Sequence, residues 1–351
     1  MTRFQRAAAL VALAGLASSC AVGSGGFNGK PADVYSVIPN QADVRSLMGD
    51  NDWWEGVPSF EVQPLNAASA PATQRYAVSQ EYRHIGTGEY LAARYVVFDK
   101  AASATTTMTD IQTNYGTSPS TPKVGDQVLY YGLQGSGGAP YATRTFVRVG
   151  NIVLALIWSR KDRGVTVDML AKNAKKFAAP LKDLSKVHAK LRTADPKSLP
   201  PPGLQITLLG SAEMPIEAFT VMSLTSLPET ILAVMRNAGI TTFAYGDYAL
   251  NNDTHMEVQT ALFTFPSNTD ATEWAAAFSP AKPDDQGIAF DYLPVSGTPA
   301  AGVYHFVFSS GRYGVFLVCK SSVDGEAASR ECEDPVHTLS LGWKLALGGL
   351  G

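Results

Sequence analysis

Ala92-Ala93-Arg94-Tyr95-Val96-Val97-Phe98 and Thr260-Ala261-Leu262-Phe263-Thr264-Phe265 are the same kind of apolar run, set in corresponding halves of a 351-residue chain. Each ends in turn residues and a short segment rich in alanine and threonine. A Gly/Pro-rich passage follows, then two β-rich runs joined tightly at glycine. In the first half these are Ala142–Val149 and Ile152–Trp158 around Gly150-Asn151; in the second, Val303–Ser309 and Tyr313–Cys319 around Ser310-Gly311. This is one strand–helix–hairpin unit, duplicated over Leu91–Trp158 and Val258–Cys319.

The flanking segments repeat as well. Asn40 has the character of an N-cap, with Asp43 in the acidic first turn and Gly49 as the stop. In the second half Ser226 and Glu229 have capping-box spacing, and Gly239 is the stop. Thr105, Met108, Ile111 and Tyr115 are expected to form one face of the first unit's helix, and Ala271, Trp274, Ala275 and Phe278 that of the second. Closing helices follow, with stripes Leu170, Ala171, Ala174, Phe177 and Val336, Leu339, Trp343, Ala346. The run Ile152–Trp158 does not alternate, so both its faces are expected to be covered. The fold class is α+β: two homologous α/β/α sandwich domains, each a mostly antiparallel sheet flanked by helices.

Length agrees with two domains. The composition is globular, 45% hydrophobic and 17% charged, and a net charge of −3 argues against nucleic acid as a partner. Arg3 and Arg6 form a basic start, Ala7 to Ala17 a short apolar core, and Ser18-Ser19 precede Cys20. That is a secretory signal, too short for a permanent span. Ala17-Ser18-Ser19-Cys20 resembles the lipobox of bacterial lipoproteins, with Ala17 where leucine is commonest. The resemblance implies acylation (palmitate) at Cys20; the alternative is an ordinary cleaved signal. Losing residues 1–19 removes Arg3 and Arg6 and takes the charge from −3 to −5. Cys319 and Cys332 then remain in an oxidising compartment, where such a pair is expected to be a disulfide.

The expected organisation is a signal peptide over 1–19, the lipidated cysteine and a flexible tether over 20–32, and a first α/β domain over 33–185. A Pro-rich linker over 186–204 leads to a second α/β domain over 205–351. Lys123-Val124-Gly125-Asp126-Gln127-Val128 and Arg148-Val149-Gly150-Asn151-Ile152-Val153, together with the element order, resemble tandem Mog1/PsbP-like domains of exported envelope lipoproteins. The resemblance implies a binding or accessory role, as a subunit of a membrane-associated complex held at the extracytoplasmic face by the lipid anchor.

No catalytic motif is legible. None of the five histidines has a partner at metal-site spacing, and there is no nucleophile elbow, zincin or Walker pattern. The expected sets of catalytic, metal and cofactor residues are therefore empty, and the chain is read as a non-enzyme. Two features stand out as candidate binding residues. Trp53-Trp54 places adjacent indoles where the chain leaves a helix, so that one is expected to face outward for recognition, against the alternative that both pack inside. Arg144 and Arg148 flank Phe146 on one strand face and suit an anionic group, against a plain solvated face. Lysines on the first closing helix, Lys172, Lys175, Lys176 and Lys182 among them, suit anionic headgroups or simple solvation. The competing readings are an apolar-ligand carrier and a hydrolase with dispersed residues.

Overall fold

The alternating and continuous apolar runs pair as two antiparallel sheets, one in each half of the chain. The computed structural model describes residues 26–61, 73–133, 141–160, 165–184, 192–223, 228–250, 253–279, 281–294, 302–321 and 331–349. The signal, Cys20, Ser226 and His188 lie outside the described residues. The chain divides into two compact units between Leu191 and Arg192.

The first unit begins with helices α1 (Pro31–Tyr35) and α2 (Gln41–Met48) and short strands β1 (Trp53–Glu55) and β2 (Ser59–Glu61). Strands β3 (Gln74–His84) and β4 (Tyr90–Phe98), helix α3 (Ala101–Tyr115), strands β5 (Gln127–Leu133), β6 (Tyr141–Val149) and β7 (Ile152–Arg160), and helix α4 (Val167–Ala178) follow. The sheet order is β1-β3-β4-β7-β6-β5, with β2 on β3. The second unit contains β8 (Ile206–Pro215), α5 (Ile216–Met222), α6 (Pro228–Asn237), β9 (Thr242–Leu250) and β10 (Asp253–Thr264). It continues with α7 (Asn268–Phe278), β11 (Ala289–Pro294), β12 (Gly302–Ser310), β13 (Tyr313–Ser321) and α8 (Glu333–Gly348), in the order β11-β12-β13-β10-β9-β8.

Five strands therefore repeat in the same order, β3-β4-β7-β6-β5 matching β9-β10-β13-β12-β11. Gly150 and Gly311 occupy the same hairpin position with φ of 59° and 55°, a left-handed conformation that glycine adopts without a Cβ clash. Helices cover both faces of each sheet. In the first unit α3 packs Ala104 and Met108 against Phe98, Leu129 and Val153. On the other face Tyr95 donates to the Phe177 carbonyl of α4 at 3.2 Å, and the Tyr82 and Phe177 rings meet at 5.9 Å. In the second, α8 packs Val336, Leu339 and Trp343 against Val258, Leu317 and Phe306. On the opposite face Phe219 of α5 sits 4.8 Å from Phe263 and 5.1 Å from Phe316 in a cluster that includes Trp274 of α7. Removing such side chains from water contributes about 1.5–3 kcal/mol each.

The match does not extend upstream. Edge strand β1 follows its helix and β8 precedes its helices, yet each pairs antiparallel with the equivalent strand. Helix α2 lies with α4, through Lys176–Asp43 at 2.6 Å and Lys172 Nζ to the Leu47 carbonyl at 3.1 Å. In the second unit α5 shares the α7 face, the opposite side. Capping signals fix a helix but not the face it covers. Within α3, Thr105 turns outward and donates to the Ala101 carbonyl, so the buried stripe is Ala104–Met108. In α8, Leu347 rather than Ala346 completes the apolar face.

Both expected connectors are partly docked. Asn151 accepts from the Phe27 backbone N–H at 2.7 Å and donates to its carbonyl at 3.0 Å, while Tyr76 donates to the Gly29 carbonyl at 2.8 Å. The chain is thus held to the first unit from this segment onward. Residues 192–204 belong to the second unit, where Ala194 and Leu199 are buried. No helix among the described residues is long and apolar enough to cross a membrane.

Candidate functional site

A cleft of about 410 Å³ opens in the first unit beneath α2 and α4, at the ends of β1, β3 and β7. Gly49, with φ of 71°, ends α2 and turns the chain through Asp50 and Asp52 into β1. There Trp53 pairs with His84 and Trp54 with Arg83. Successive strand residues point to opposite faces. Trp53 enters the cleft wall, its ring 5.5 Å from His84, and Trp54 goes to the other face. Both indoles are buried, at 2% and 7% exposure. The expectation of an outward-facing indole is corrected: strand pairing gives each ring a separate interior site.

The tight β3–β4 turn delivers Glu89 to the cleft floor. His84 N–H donates to the Glu89 carbonyl at 2.9 Å, and Gly88 N–H donates to the His84 carbonyl at 2.8 Å. Glu89 Oε1 accepts from Arg160 Nε at 3.1 Å, and Oε2 from Trp158 Nε1 at 3.4 Å. The Arg160 guanidinium also lies over the Trp158 ring, 5.4 Å from its centroid. Both charged side chains are nearly buried, at 8% and 11% exposure, where pairing offsets part of the cost of leaving water. Asn173 of α4 also lines the cleft at 4% exposure, and its Nδ2 has no hydrogen-bond partner. A buried N–H left unmatched costs about 1–3 kcal/mol.

Asp50, Asp52 and His84 bring possible ligand atoms within 4.8 Å of one another. The hydrogen bonds argue against a cation there. His84 Nδ1 accepts from Thr87 N–H at 3.1 Å, which assigns the ring proton to Nε2, directed at Asp50 Oδ2 2.9 Å away. A neutral imidazole has one lone pair, and this one is committed to Thr87. The Asp52 backbone N–H, then His84, hold the Asp50 carboxyl below its ordinary range. The trio is a hydrogen-bonded turn.

The arginine pair is likewise occupied. Arg144 donates to the Tyr115 hydroxyl at 2.6 Å and lies over that ring at 5.3 Å. Arg148 pairs with Asp126 at 3.3 Å and donates to the Gly150 carbonyl at 3.2 Å. The two lie on one strand face, each with a protein partner, while Arg148 Nε is buried without one. Of the lysines expected on the closing helix, Lys172 and Lys176 hold α2, while Lys175 of α4 and Lys182 just beyond it join Lys123 around a separate depression of about 180 Å³.

The strand–helix junction beside the cleft has a counterpart in the second unit. Counting from the hairpin glycines, Cys319 stands where Trp158 does, and Cys332 precedes α8 as Thr166 precedes α4. Cys319 and Cys332 form a disulfide with Cα atoms 6.1 Å apart, and Met256 Sδ lies 3.3 Å from Cys332 Sγ, all buried. The strand–helix junction that is open in the first unit is covalently tied in the second.

His305, the counterpart of Arg144, is buried 4.9 Å from the Phe316 ring with Nε2 unpartnered. Burial, with Lys320 adding to it, pushes its pKa down to about 4 from 6.5. Its folded pKa lies below the unfolded one, so the unfolded chain takes up a proton first as pH falls. Stability present above about pH 6.5 should then be lost towards pH 4, by about 2 kcal/mol at pH 5. Denaturant unfolding at pH 7.5 and 5.0 should show this drop in the native protein and a smaller one in His305→Phe. Equal drops would refute it.

Sequence reasoning missed the cleft, because Glu89, Trp158, Arg160 and His84 are brought together by pairing. One signal was present: Asn173 lies on the apolar stripe between Leu170 and Phe177, a polar residue on a buried face.

No protein-family model and no curated protein matches the chain. Among solved structures, the extracellular domain of PknH from Mycobacterium tuberculosis aligns over 45% of this chain and 100% of its own length, at 12% identity and a TM-score of 0.35. The di-domain ARO/CYC protein BexL from the BE-7585A biosynthetic pathway aligns over 85% of this chain and 97% of its own, at 8% identity and a TM-score of 0.16. Likenesses this distant carry no argument about function.

Proposed function

We propose that the chain is an exported envelope protein, anchored through acylated Cys20 at the extracytoplasmic face of the cell membrane, that acts by binding as a non-catalytic or accessory subunit of a membrane-associated complex. The observation that carries the reading is the buried Cys319–Cys332 disulfide in a chain whose first twenty residues have the pattern of an export signal ending at cysteine. Such bonds persist where the compartment is oxidising. The chemistry of the cleft supports binding over catalysis, since its carboxylates and its histidine are committed to neighbours and none is paired with a nucleophile.

The test is fractionation with metabolic palmitate labelling. The native chain should appear in the membrane fraction, labelled and lacking residues 1–19. Cys20→Ser should lose the label and move at least tenfold towards the soluble fraction. An unlabelled native chain equally distributed with the variant would overturn anchoring. Affinity isolation of the anchored protein should co-purify a membrane complex at fixed stoichiometry; repeated recovery of the protein alone would overturn the accessory role.

A further inference from the structure

We infer that the lysine-lined depression of the first unit is the face that rests on an anionic phospholipid surface. Lys123 ahead of β5, Lys175 of α4 and Lys182 just beyond it surround this hollow, and its other lining residues are uncharged. No carboxylate lines it. Asp126, next to Gly125 of the wall, is taken by Arg148 and by the Gly150 N–H at 2.7 Å. All three lysines are exposed, and none has a protein partner among the described residues, whereas Lys172 and Lys176 of the same helix hold α2. Three unmatched positive charges thus gather on a mature chain whose net charge, −3 less Arg3 and Arg6, is −5. A charged bilayer is met by exposed cations spread over a face and does not require them to converge on one atom.

The start of the folded chain lies at the same end of the sheet. Asp126 bonds Gly150 in the β6–β7 turn, and the next residue, Asn151, holds both backbone groups of Phe27, at 2.7 and 3.0 Å. Cys20 is seven residues ahead of Phe27, a reach of at most about 25 Å. An acyl chain at Cys20 therefore keeps this end within that reach of the bilayer, where tethering raises the local concentration and a few lysines suffice. The cleft lies at the other end. Strand β7 runs from Ile152, beside the turn that holds Phe27, to Arg160 in the cleft, about 26 Å away. With the lysines on the lipid, the cleft is held away from it and open to a partner.

This inference rests on the anchoring reading above and names the surface that meets the lipid. It is tested without the acyl chain, on the mature protein (residues 20–351) carrying Cys20→Ser. The measurement is co-sedimentation with vesicles of phosphatidylcholine mixed with phosphatidylglycerol, and of phosphatidylcholine alone. Binding at low salt should be at least tenfold stronger to the mixed vesicles and should weaken as salt is raised. Lys123→Gln, Lys175→Gln and Lys182→Gln together should reduce it at least tenfold, since each lysine at an anionic surface tightens binding about fivefold. All three side chains are exposed, so this variant should keep the thermal transition of its parent. Lys197→Gln, Lys282→Gln and Arg312→Gln together remove the same charge from exposed positions of the second unit and should change binding less than twofold. No preference for the phosphatidylglycerol vesicles, a first variant that binds as its parent does, or a second-unit variant that loses as much would each overturn the assignment and leave anchoring untouched. Loss of the palmitate label with the vesicle preference intact would overturn anchoring alone.

Discussion

Glu89→Ala is expected to destabilise the first domain by about 3–5 kcal/mol, because it withdraws the carboxylate that neutralises the buried Arg160. It also removes the acceptor for Trp158 Nε1. The cost belongs to a nearly buried charge that has lost its carboxylate rather than to the pair as such. Glu89→Leu combined with Arg160→Met, apolar groups of similar length, should therefore recover most of the loss. Urea unfolding of the single and double variants checks this. A double variant as unstable as Glu89→Ala would show that the pair itself, rather than charge burial, holds the cleft floor. The same experiment bears on function. A charge pair costly to break and replaceable for stability is kept for the shape and polarity of the cleft it floors.

The second large effect concerns the staple. Cys319→Ala with Cys332→Ala is expected to destabilise the second domain by about 3 kcal/mol, from the freedom regained by the unfolded chain across a 13-residue separation. For a domain of this size that is about 6–12 °C in Tm. Scanning calorimetry should show one transition lowered by this amount. A reductant should lower the native protein to the level of the variant and leave the variant unmoved. A reductant with no effect on the native protein would mean that the bond contributes nothing to folding.

The duplicated unit was legible because its signals are local. Alternation in Ala142–Val149, the continuous apolar run from Ile152, the glycine between them and the helical stripes at Leu170–Phe177 and Val336–Trp343 each follow from residues within two turns or one hairpin. They fixed which elements form and that two antiparallel sheets are covered by helices. The paired cysteines were also readable, since only two follow Cys20.

The sites were another matter. Whether Trp53 and Trp54 meet solvent depended on the strand beside them, and β3 buried both. Whether Arg144 and Arg148 are open to an anion depended on Tyr115 and Asp126, 29 and 22 residues away. The capping signals of α2 and α6 marked helices without naming the side of the sheet that receives each. Sequence alone determined the repeated secondary structure, because that is set by neighbours along the chain. Tertiary structure alone decided that the first copy holds an open polar cleft floored by Glu89 and Arg160, because that outcome rests on contacts between residues far apart in the chain.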